Sequence, residues 1–190
     1  MCALCREGLR GFDDAHCFGA YGGTLRSLIH LFKYGGVKPL AGHLARLLRD
    51  AIPADRRFDA VVPIPLYWWK HWERGFNQSE LLAREIGRHR GIPTVNAMRR
   101  LRATSTQAGL SRSARRRNVA GAFAVKNRHA VAGKRILLVD DVMTTGATAS
   151  AGGAALKAAG ALSVTLLTVA RVDRRIAWTP ASGADFLRAT

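Results

Sequence analysis

Acidic residues are what this sequence has least of for its size. It contains 30 Lys and Arg residues against 13 Asp and Glu residues, which gives a net charge of +17 at pH 7. From Ile86 to Val139 there is no acidic residue at all, while Arg and Lys recur throughout. This imbalance predicts an anionic partner, either a polyphosphate or a nucleic acid. A solvated basic surface is the alternative interpretation.

Long hydrophobic runs are also missing. No stretch approaches the roughly 20 uninterrupted apolar residues that a membrane helix needs. Residues 1–7 show no apolar segment behind a basic start, so the sequence predicts no secretion signal and no membrane insertion, and a cytoplasmic protein. Hydrophobic residues still make up 48% of the 190 residues, which is enough for one globular core.

Cysteine is scarce, with only Cys2, Cys5 and Cys17 present. An odd number of cysteines argues against a disulfide framework in a reducing compartment. The Cys2-x-x-Cys5 spacing is that of half a zinc ribbon, and the nearest further ligand candidates are His16 and Cys17. Two interpretations stay open: metal ligation by Cys2 and Cys5, or two ordinary thiols near a chain end.

Hydrophobic periodicity predicts an alternation of helices and strands. Apolar residues spaced i, i+3, i+4 and i+7 predict helices over residues 24–33 and about 39–49, and a capping box of Asn77 and Glu80 predicts a helix over 78–89. Strands are predicted over 58–62, 135–139 and 164–169, with a helix over 149–159. Uninterrupted apolar strands around a helix are typical of a parallel sheet, so the fold class is α/β.

The segment from Ile136 to Thr148 carries the chemistry. A buried strand delivers Asp140 and Asp141 to its carboxyl end, and a Thr/Gly loop then turns into a helix. Backbone N–H groups at a helix N-terminus, with the hydroxyls of Thr144, Thr145 and Thr148, predict a phosphate monoester site. Adjacent strand residues point to opposite sides. One acid is therefore expected to accept hydrogen bonds from sugar hydroxyls, and the other to support the loop or a hydrated Mg²⁺ ion.

This segment resembles the signature that binds phosphoribosyl pyrophosphate (PRPP) in type I phosphoribosyltransferases. Other blocks follow in the order found in the ComF family of competence-associated proteins, and the resemblance runs from about Cys2 to Arg171. These blocks are Phe32 to Gly36, Val62 to Pro65, Arg74 to Gln78, Thr106 to Ser111 and Arg115 to Val119. The resemblance implies a type I phosphoribosyltransferase fold, with a central, mostly parallel sheet flanked by helices and preceded by a small N-terminal helical or zinc-ribbon remnant.

The resemblance also implies a division of the chain. Residues 1–20 are expected to be the remnant of the ribbon, residues 21–173 the phosphoribosyltransferase-like domain, and residues 174–190 a flexible tail. Only the second Cys-x-x-Cys pair of the family's ribbon is present, so Zn²⁺ is expected only if other ligands complete the site.

The family's site residues carry over to matching positions of this sequence. Asp140, Asp141 and Arg112 are the expected catalytic residues, and Arg115, Arg116 and Arg117 are expected to bind nucleic acid. PRPP is expected to contact the helix-terminal loop, the loop after Val62 and nearby cations, namely Met143, Thr144, Thr145, Gly146, Ala147 and Thr148, then Pro63, Ile64, Pro65 and Leu66, and finally Lys33, Lys70 and Arg74. Residues 102–117 are expected to be mobile without ligand, because they are long, polar and aperiodic.

Two functions follow from the resemblance. One is a phosphoribosyltransferase that uses PRPP and Mg²⁺, transfers to an unidentified acceptor and is linked to DNA uptake in natural competence. The other is a non-catalytic protein that binds single-stranded nucleic acid under control of PRPP, with single-stranded DNA and other competence proteins as partners. Trp68, Trp69 and Trp72 can stack on a base in either case, and a role in the core or in a lid is the alternative.

Overall fold

The computed structural model describes residues 11–102 and 121–172. Strands and helices alternate along these parts of the chain. In chain order they are β1 (Asp14–Ala20), α1 (Gly23–Tyr34), α2 (Leu40–Asp50), β2 (Ala60–Pro63), α3 (Trp68–Arg74), α4 (Gln78–Arg90), β3 (Met98–Arg100), β4 (Phe123–Val125), β5 (Arg135–Met143), α5 (Ala147–Ala158) and β6 (Ser163–Arg171).

Four of the strands form a parallel sheet in the order β1-β6-β5-β2, and β3 pairs with β4 as a separate antiparallel hairpin. β5 lies between β6 and β2, with Ile136 opposite both Val164 and Ala60. Both long central strands are buried over most of their length. The α/β fold with a parallel sheet is therefore confirmed, and residues 136–139 lie in a central strand as the sequence predicts.

Side chains alternate across β5 and pack into two cores. Leu137 and Val139 join the core under α1, α2 and α4, while Ile136 and Leu138 join the core under α5 and the β3–β4 hairpin. In the described residues each face of the sheet is thus covered by a core, which leaves the ends of the strands as the expected place for a ligand. In open α/β sheets ligands bind at the carboxyl ends of the strands, which is where Asp140 and Asp141 lie.

The three predicted helices of the first half exist with bounds within two residues of those expected. The capping of α4 is simpler than predicted, because the Asn77 side chain accepts a hydrogen bond from the amide of Ser79 (3.1 Å). Glu80 is engaged elsewhere: its carboxylate accepts a hydrogen bond from the Asn96 side-chain amide (3.0 Å) and pairs with Arg84. Asn77 therefore caps the helix, and Glu80 ties it to the segment before β3.

A strand precedes the predicted start of the domain at residue 21. Residues 14–20, which the resemblance assigns to a ribbon remnant, form β1 and pair in parallel with β6. The turn before β1 is also bound to the domain. Its Asp13 carboxylate accepts hydrogen bonds from the Val164 amide (2.7 Å) of β6 and from Lys157 (2.6 Å) of α5. This strand could not be predicted from the sequence, because Asp, His, Gly and Ala occupy most of its positions and these residues have low β-strand propensity.

Residues 11–102 and 121–172 contain neither a cluster of metal ligands nor a helix that could span a membrane. No group of three or more His, Cys, Asp or Glu side chains that could hold a metal ion occurs there, and Cys17 is a free thiol in β1. No helix in these ranges has the length and apolar character needed to cross a bilayer. Cys2 and Cys5, and the tail after residue 173, lie outside the described residues.

Candidate ligand-binding site

The loop between β5 and α5 has the form that the sequence predicts for an anion site. β5 ends at Met143 and α5 begins at Ala147, with Gly146 between them in the left-handed region (φ 73°). The first turn of α5 contains no acidic residue, and its N-cap residue Gly146 makes no side-chain hydrogen bond. The Ala147 amide donates a long hydrogen bond to the Thr145 hydroxyl (3.4 Å), which an anion at the positive end of the helix dipole can replace.

The loop after β2 lies beside this strand and is fixed from behind. Ile64 donates its amide to the Val139 carbonyl (2.9 Å), and the buried Asn77 donates its side-chain amide to the Ile64 carbonyl (3.0 Å). Because Asn77 also caps α4, one side chain holds both the loop and the helix start. From the sequence, only the capping role of Asn77 was predicted. Nothing in the spacing of residues signals the second hydrogen bond, since it joins positions brought together by the fold.

The two adjacent acids of β5 have different partners. The Asp140 carboxylate accepts hydrogen bonds from the Ser79 hydroxyl (3.0 Å) and from the Asp141 amide (2.9 Å). The Asp141 carboxylate pairs with the Lys33 ammonium at 2.9 Å, and both side chains are largely buried. Asp140 is therefore tied to α4, whereas Asp141 is tied to the end of α1. The roles of the two acids toward sugar hydroxyls, the loop or Mg²⁺ stay predictions.

Burial raises the pKa of the Asp140 carboxyl to about 7, and repulsion from Asp141 acts in the same direction. Lys33, the Asp141 amide and Ser79 oppose this shift because each favours the charged form. A carboxyl with such a pKa is partly protonated at neutral pH. Strongly perturbed acids of this kind are concentrated at functional sites.

We expect the stability of the protein relative to an Asp140→Asn variant to fall as pH rises from about 4 to about 7. Across this window folded Asp140 retains a proton that the unfolded chain has released, so rising pH favours unfolding. The difference in the free energy of unfolding should change by roughly 3 kcal/mol, measured by urea denaturation of both proteins between about pH 4.5 and about pH 8. A difference that is flat over this range would contradict the assignment of a raised pKa to Asp140.

Several cations lie close to one another at this end of the sheet, together with the Glu73 carboxylate, and Lys33 and Arg100 lie near the acids. Burial lowers the pKa of the Lys70 ammonium, and the nearby charges of Arg74 and Arg100 lower it further. Burial also lowers the pKa of Arg100, and the carboxylate of Asp140 opposes this effect. The Arg74 guanidinium lies over the ring of Tyr34 at 5.0 Å and donates hydrogen bonds to its hydroxyl and to Gln78. Cations from three different elements therefore converge on this end of the sheet.

The structure brings many of the residues expected to bind PRPP to one end of the sheet. Lys33 contacts Asp141, the loop of residues 63–66 joins β5, and Lys70 and Arg74 lie on α3 within the same cluster of cations. Arg100 was not assigned a role from the sequence; its only signal was its place in the stretch without acids. Arg112, Arg115, Arg116 and Arg117, and with them the predicted mobility of the segment after Arg102, lie outside the described residues.

An open depression of about 1050 Å³ lies elsewhere, between α2, the segment before β2 and the start of β5. Five arginines of the described residues line it, and four of them are already engaged, with Arg49 paired to Asp50 (3.0 Å). Arg56 pairs with Asp14 (2.8 Å), Arg135 pairs with Asp59 (2.7 Å), and Arg90 donates to backbone carbonyls. The depression also lies away from Asp140 and Asp141, so we assign the ligand site to the carboxyl ends of β2 and β5.

Sequence comparison matches the chain to known proteins. The family model described as "Phosphoribosyl transferase domain" matches residues 40–185. Competence protein F of Haemophilus influenzae is 36% identical over 155 residues, which covers 77% of this chain and 68% of that protein. The DNA utilization protein YhgH of Escherichia coli K12 is 36% identical over 158 residues (80% and 69%), and competence protein ComFC of Bacillus subtilis is 31% identical over 157 residues (77% and 61%).

Structural comparison gives a looser likeness. Glutamine PRPP amidotransferase from B. subtilis, solved with ADP and GMP, superimposes with a TM-score of 0.48 and 23% identity. The match covers 68% of this chain but only 26% of that protein, so the chain spans about a quarter of its length. We transfer no residue or ligand position from this superposition.

Proposed function

Because the chain belongs to the phosphoribosyltransferase family, and within it to the ComF proteins, we propose that it binds PRPP together with Mg²⁺ at the carboxyl ends of β2 and β5. The single observation that carries this proposal is the convergence of two partly buried acids, the N-terminal loop of α5 and a cluster of cations. PRPP carries a phosphate, ribose hydroxyls and a pyrophosphate, and each has a matching group in this arrangement.

The parts of PRPP are assigned to this site by chemistry. The 5′-phosphate suits the amides of residues 144–148 at the start of α5. The ribose hydroxyls suit Asp140 and Asp141, which are acceptors when ionised. The pyrophosphate suits the loop of residues 63–66 with Lys33, Lys70 and Arg74 beside it. In this arrangement Lys33 exchanges its ion pair with Asp141 for one with the ligand.

The donor set also fits Mg²⁺, which prefers carboxylate oxygens and keeps several waters. When bound, the ion neutralises phosphate charge on PRPP. Ionised Asp140 binds a metal ion and accepts from a hydroxyl more strongly than the protonated carboxyl does, so binding is expected to weaken below pH 7. The repulsion between the two acids is relieved in the same step.

We propose that the chemistry is displacement of pyrophosphate from the ribose by an acceptor. The bond between the anomeric carbon of the ribose and the pyrophosphate oxygen breaks, and a bond from the acceptor to that carbon forms. In the transition state the ribose is oxocarbenium-like and negative charge grows on the departing pyrophosphate. Lys33, Lys70 and Arg74 stabilise this departing charge, so a protein nucleophile is not required. A pyrophosphate-release assay with PRPP, Mg²⁺ and a panel of nucleobases and nucleic acids tests this step. Release that depends on an acceptor and on Lys33 supports an enzyme, whereas binding without release supports the second candidate below.

The second candidate is a non-catalytic protein that binds single-stranded nucleic acid and is regulated by PRPP. Its specific support is the stretch without acids and the exposed tryptophans beside Lys70. The relatives' names, which refer to competence and DNA utilization, support a role in DNA uptake for either candidate.

If strand binding depends on phosphate neutralisation, replacing Arg115, Arg116 and Arg117 together with Ala should flatten its salt dependence. The logarithm of the affinity should fall with that of salt by roughly 0.7 per neutralised phosphate, so the slope should become shallower by up to about 2. Fluorescence anisotropy with a labelled oligonucleotide at several salt concentrations measures both slopes.

The matched control for this prediction removes three exposed arginines of α2 and α4, namely Arg46, Arg84 and Arg88. Two of them already pair with glutamates, Arg84 with Glu80 and Arg88 with Glu85. An equal change of slope in the control and in the Arg115 to Arg117 variant would mean that net charge alone determines the salt dependence. The assignment of strand binding to those three residues would then be wrong.

A further inference from the structure

Three tryptophans of the short helix α3 are exposed to solvent. The exposed fractions are 64% for Trp68, 56% for Trp69 and 79% for Trp72. Tryptophan is highly buried on average, and adjacent exposed aromatic side chains mark surfaces that interact with a partner. We call these three side chains the Trp ridge.

The rings of the Trp ridge follow one another at short intervals. The centroids of Trp68 and Trp69 are 5.7 Å apart with their planes at 87°, those of Trp69 and Trp72 are 6.1 Å apart at 34°, and Tyr67 lies 5.7 Å from Trp68 at 47°. The rings therefore face different directions, as bases splayed along a flexible single strand can. A single small aromatic ligand would need one such face. A series of rings instead matches a ligand with several flat groups in succession, such as the bases of a single strand.

The other side of α3 carries positive charge toward the candidate ligand site. Lys70 and Arg74 lie one helical turn apart and are both less exposed than the tryptophans. Arg100 and Lys33 lie close enough to Lys70 to lower its pKa, after the larger effects of burial and Arg74. An apolar protein partner would complement the tryptophans but not these cations. A strand of nucleic acid complements both, because it presents bases and phosphates along the same path.

We propose that the Trp ridge is a stacking platform for the bases of single-stranded nucleic acid, whose phosphates pass beside Lys70 and Arg74. This inference deepens the strand-binding candidate above and does not depend on transferase activity. It places the strand at the rim of the proposed PRPP site. Since Lys70 and Arg74 are assigned to PRPP as well, strand and PRPP should compete for them.

The test uses the full chain with Trp178→Phe, which removes the one tryptophan that lies outside the ridge. A thymidine oligonucleotide of about 12 nucleotides and an abasic strand of equal length are titrated, since the second keeps the phosphates and lacks the bases. We expect the thymidine strand to bind at least ~10-fold more tightly and to quench the ridge fluorescence.

The triple variant Trp68→Ala, Trp69→Ala, Trp72→Ala should lose this ~10-fold preference while its salt slope stays that of the parent, because stacking neutralises no phosphate. Replacement of the same three residues with Phe should restore part of the preference. Leu162→Ala is the control, since it removes another exposed large apolar side chain, 67% exposed, just before β6. Circular dichroism establishes that each variant is folded.

Three results would overturn the inference. In the first, the Ala variant keeps the preference for bases, or loses affinity for both strands equally. In the second, the protein self-associates through the ridge, so that sedimentation shows a dimer that the Ala variant lacks while strand affinity is unchanged. In the third, the parent protein binds neither strand, and the strand-binding candidate falls as well. PRPP titration of the same sample then shows whether the PRPP proposal stands independently.

Discussion

Replacement of Asp140 and Asp141 together with Asn should weaken the binding of Mg²⁺-PRPP by at least ~100-fold, because a hydrogen bond to an ionised acceptor contributes about 1.5–3 kcal/mol. The substitution is isosteric, and the amide oxygen introduced by Asp140→Asn can still accept from Ser79 and from the following backbone amide. Asp141→Asn also leaves the Lys33 ammonium without its carboxylate partner, so this variant should be less stable as well. Circular dichroism therefore establishes the folded fraction before affinity is compared. Isothermal titration calorimetry of both proteins measures it.

Two further measurements isolate this effect. Asp50→Asn with Asp55→Asn makes the same change of net charge at exposed positions of α2 and the segment after it, and should leave PRPP affinity unchanged. Inorganic phosphate should still bind to the variant that lacks the Asp140 and Asp141 carboxylates, because the amides at the start of α5 remain. Unaltered PRPP affinity in that variant would show that neither acid contacts the ligand.

Substitution of Gly146 with Val should reduce PRPP affinity by at least ~10-fold, because a β-branched residue does not tolerate the left-handed conformation (φ 73°) that ends the loop. The loop must then change its backbone path, and the amides that would hold the 5′-phosphate move with it. Direct titration with PRPP measures the loss of affinity, and thermal denaturation measures the loss of stability that the strained backbone causes.

Gly91 offers a matched control for this substitution. It also has a left-handed backbone (φ 65°), at the C-cap of α4 and away from the candidate ligand site, and a side chain there meets no neighbouring atom within 4 Å. Gly91→Val should lower the free energy of unfolding by about as much as Gly146→Val, of order 1–2 kcal/mol, while PRPP affinity stays unchanged. Equal losses of affinity in both variants would attribute the effect to stability alone.

The central part of the fold could be predicted because its signals are local. An apolar run marks β5, the Thr/Gly loop marks its end, and amphipathic spacing marks α1, α2 and α4. β1 was not predicted, because this edge strand contains Gly, Asp and His and lacks both hydrophobic periodicity and β-branched residues. Its place in the sheet is decided by pairing with β6, a contact between segments that lie far apart in the sequence.

The candidate site was only partly predictable for the same reason. The motif itself identified Asp140, Asp141 and the loop after them, since these residues are contiguous. The groups near the acids are not contiguous: Ser79 lies at the start of α4, Lys33 lies at the end of α1, and Arg100, whose pKa the Asp140 carboxylate raises, ends β3. No sequence pattern marks which serine or arginine of this Arg-rich chain lies near Asp140. These assignments need the three-dimensional arrangement of the helices.

The most direct test of the PRPP proposal is calorimetric titration of the full chain with PRPP in the presence and absence of Mg²⁺. We predict one saturable site that requires Mg²⁺, that weakens as pH falls below 7, and whose affinity falls at least ~100-fold when Asp140 and Asp141 are both replaced with Asn. No saturable binding of PRPP by folded protein up to millimolar concentrations, with Mg²⁺ present at about pH 8, where the Asp140 carboxyl is ionised, would contradict it.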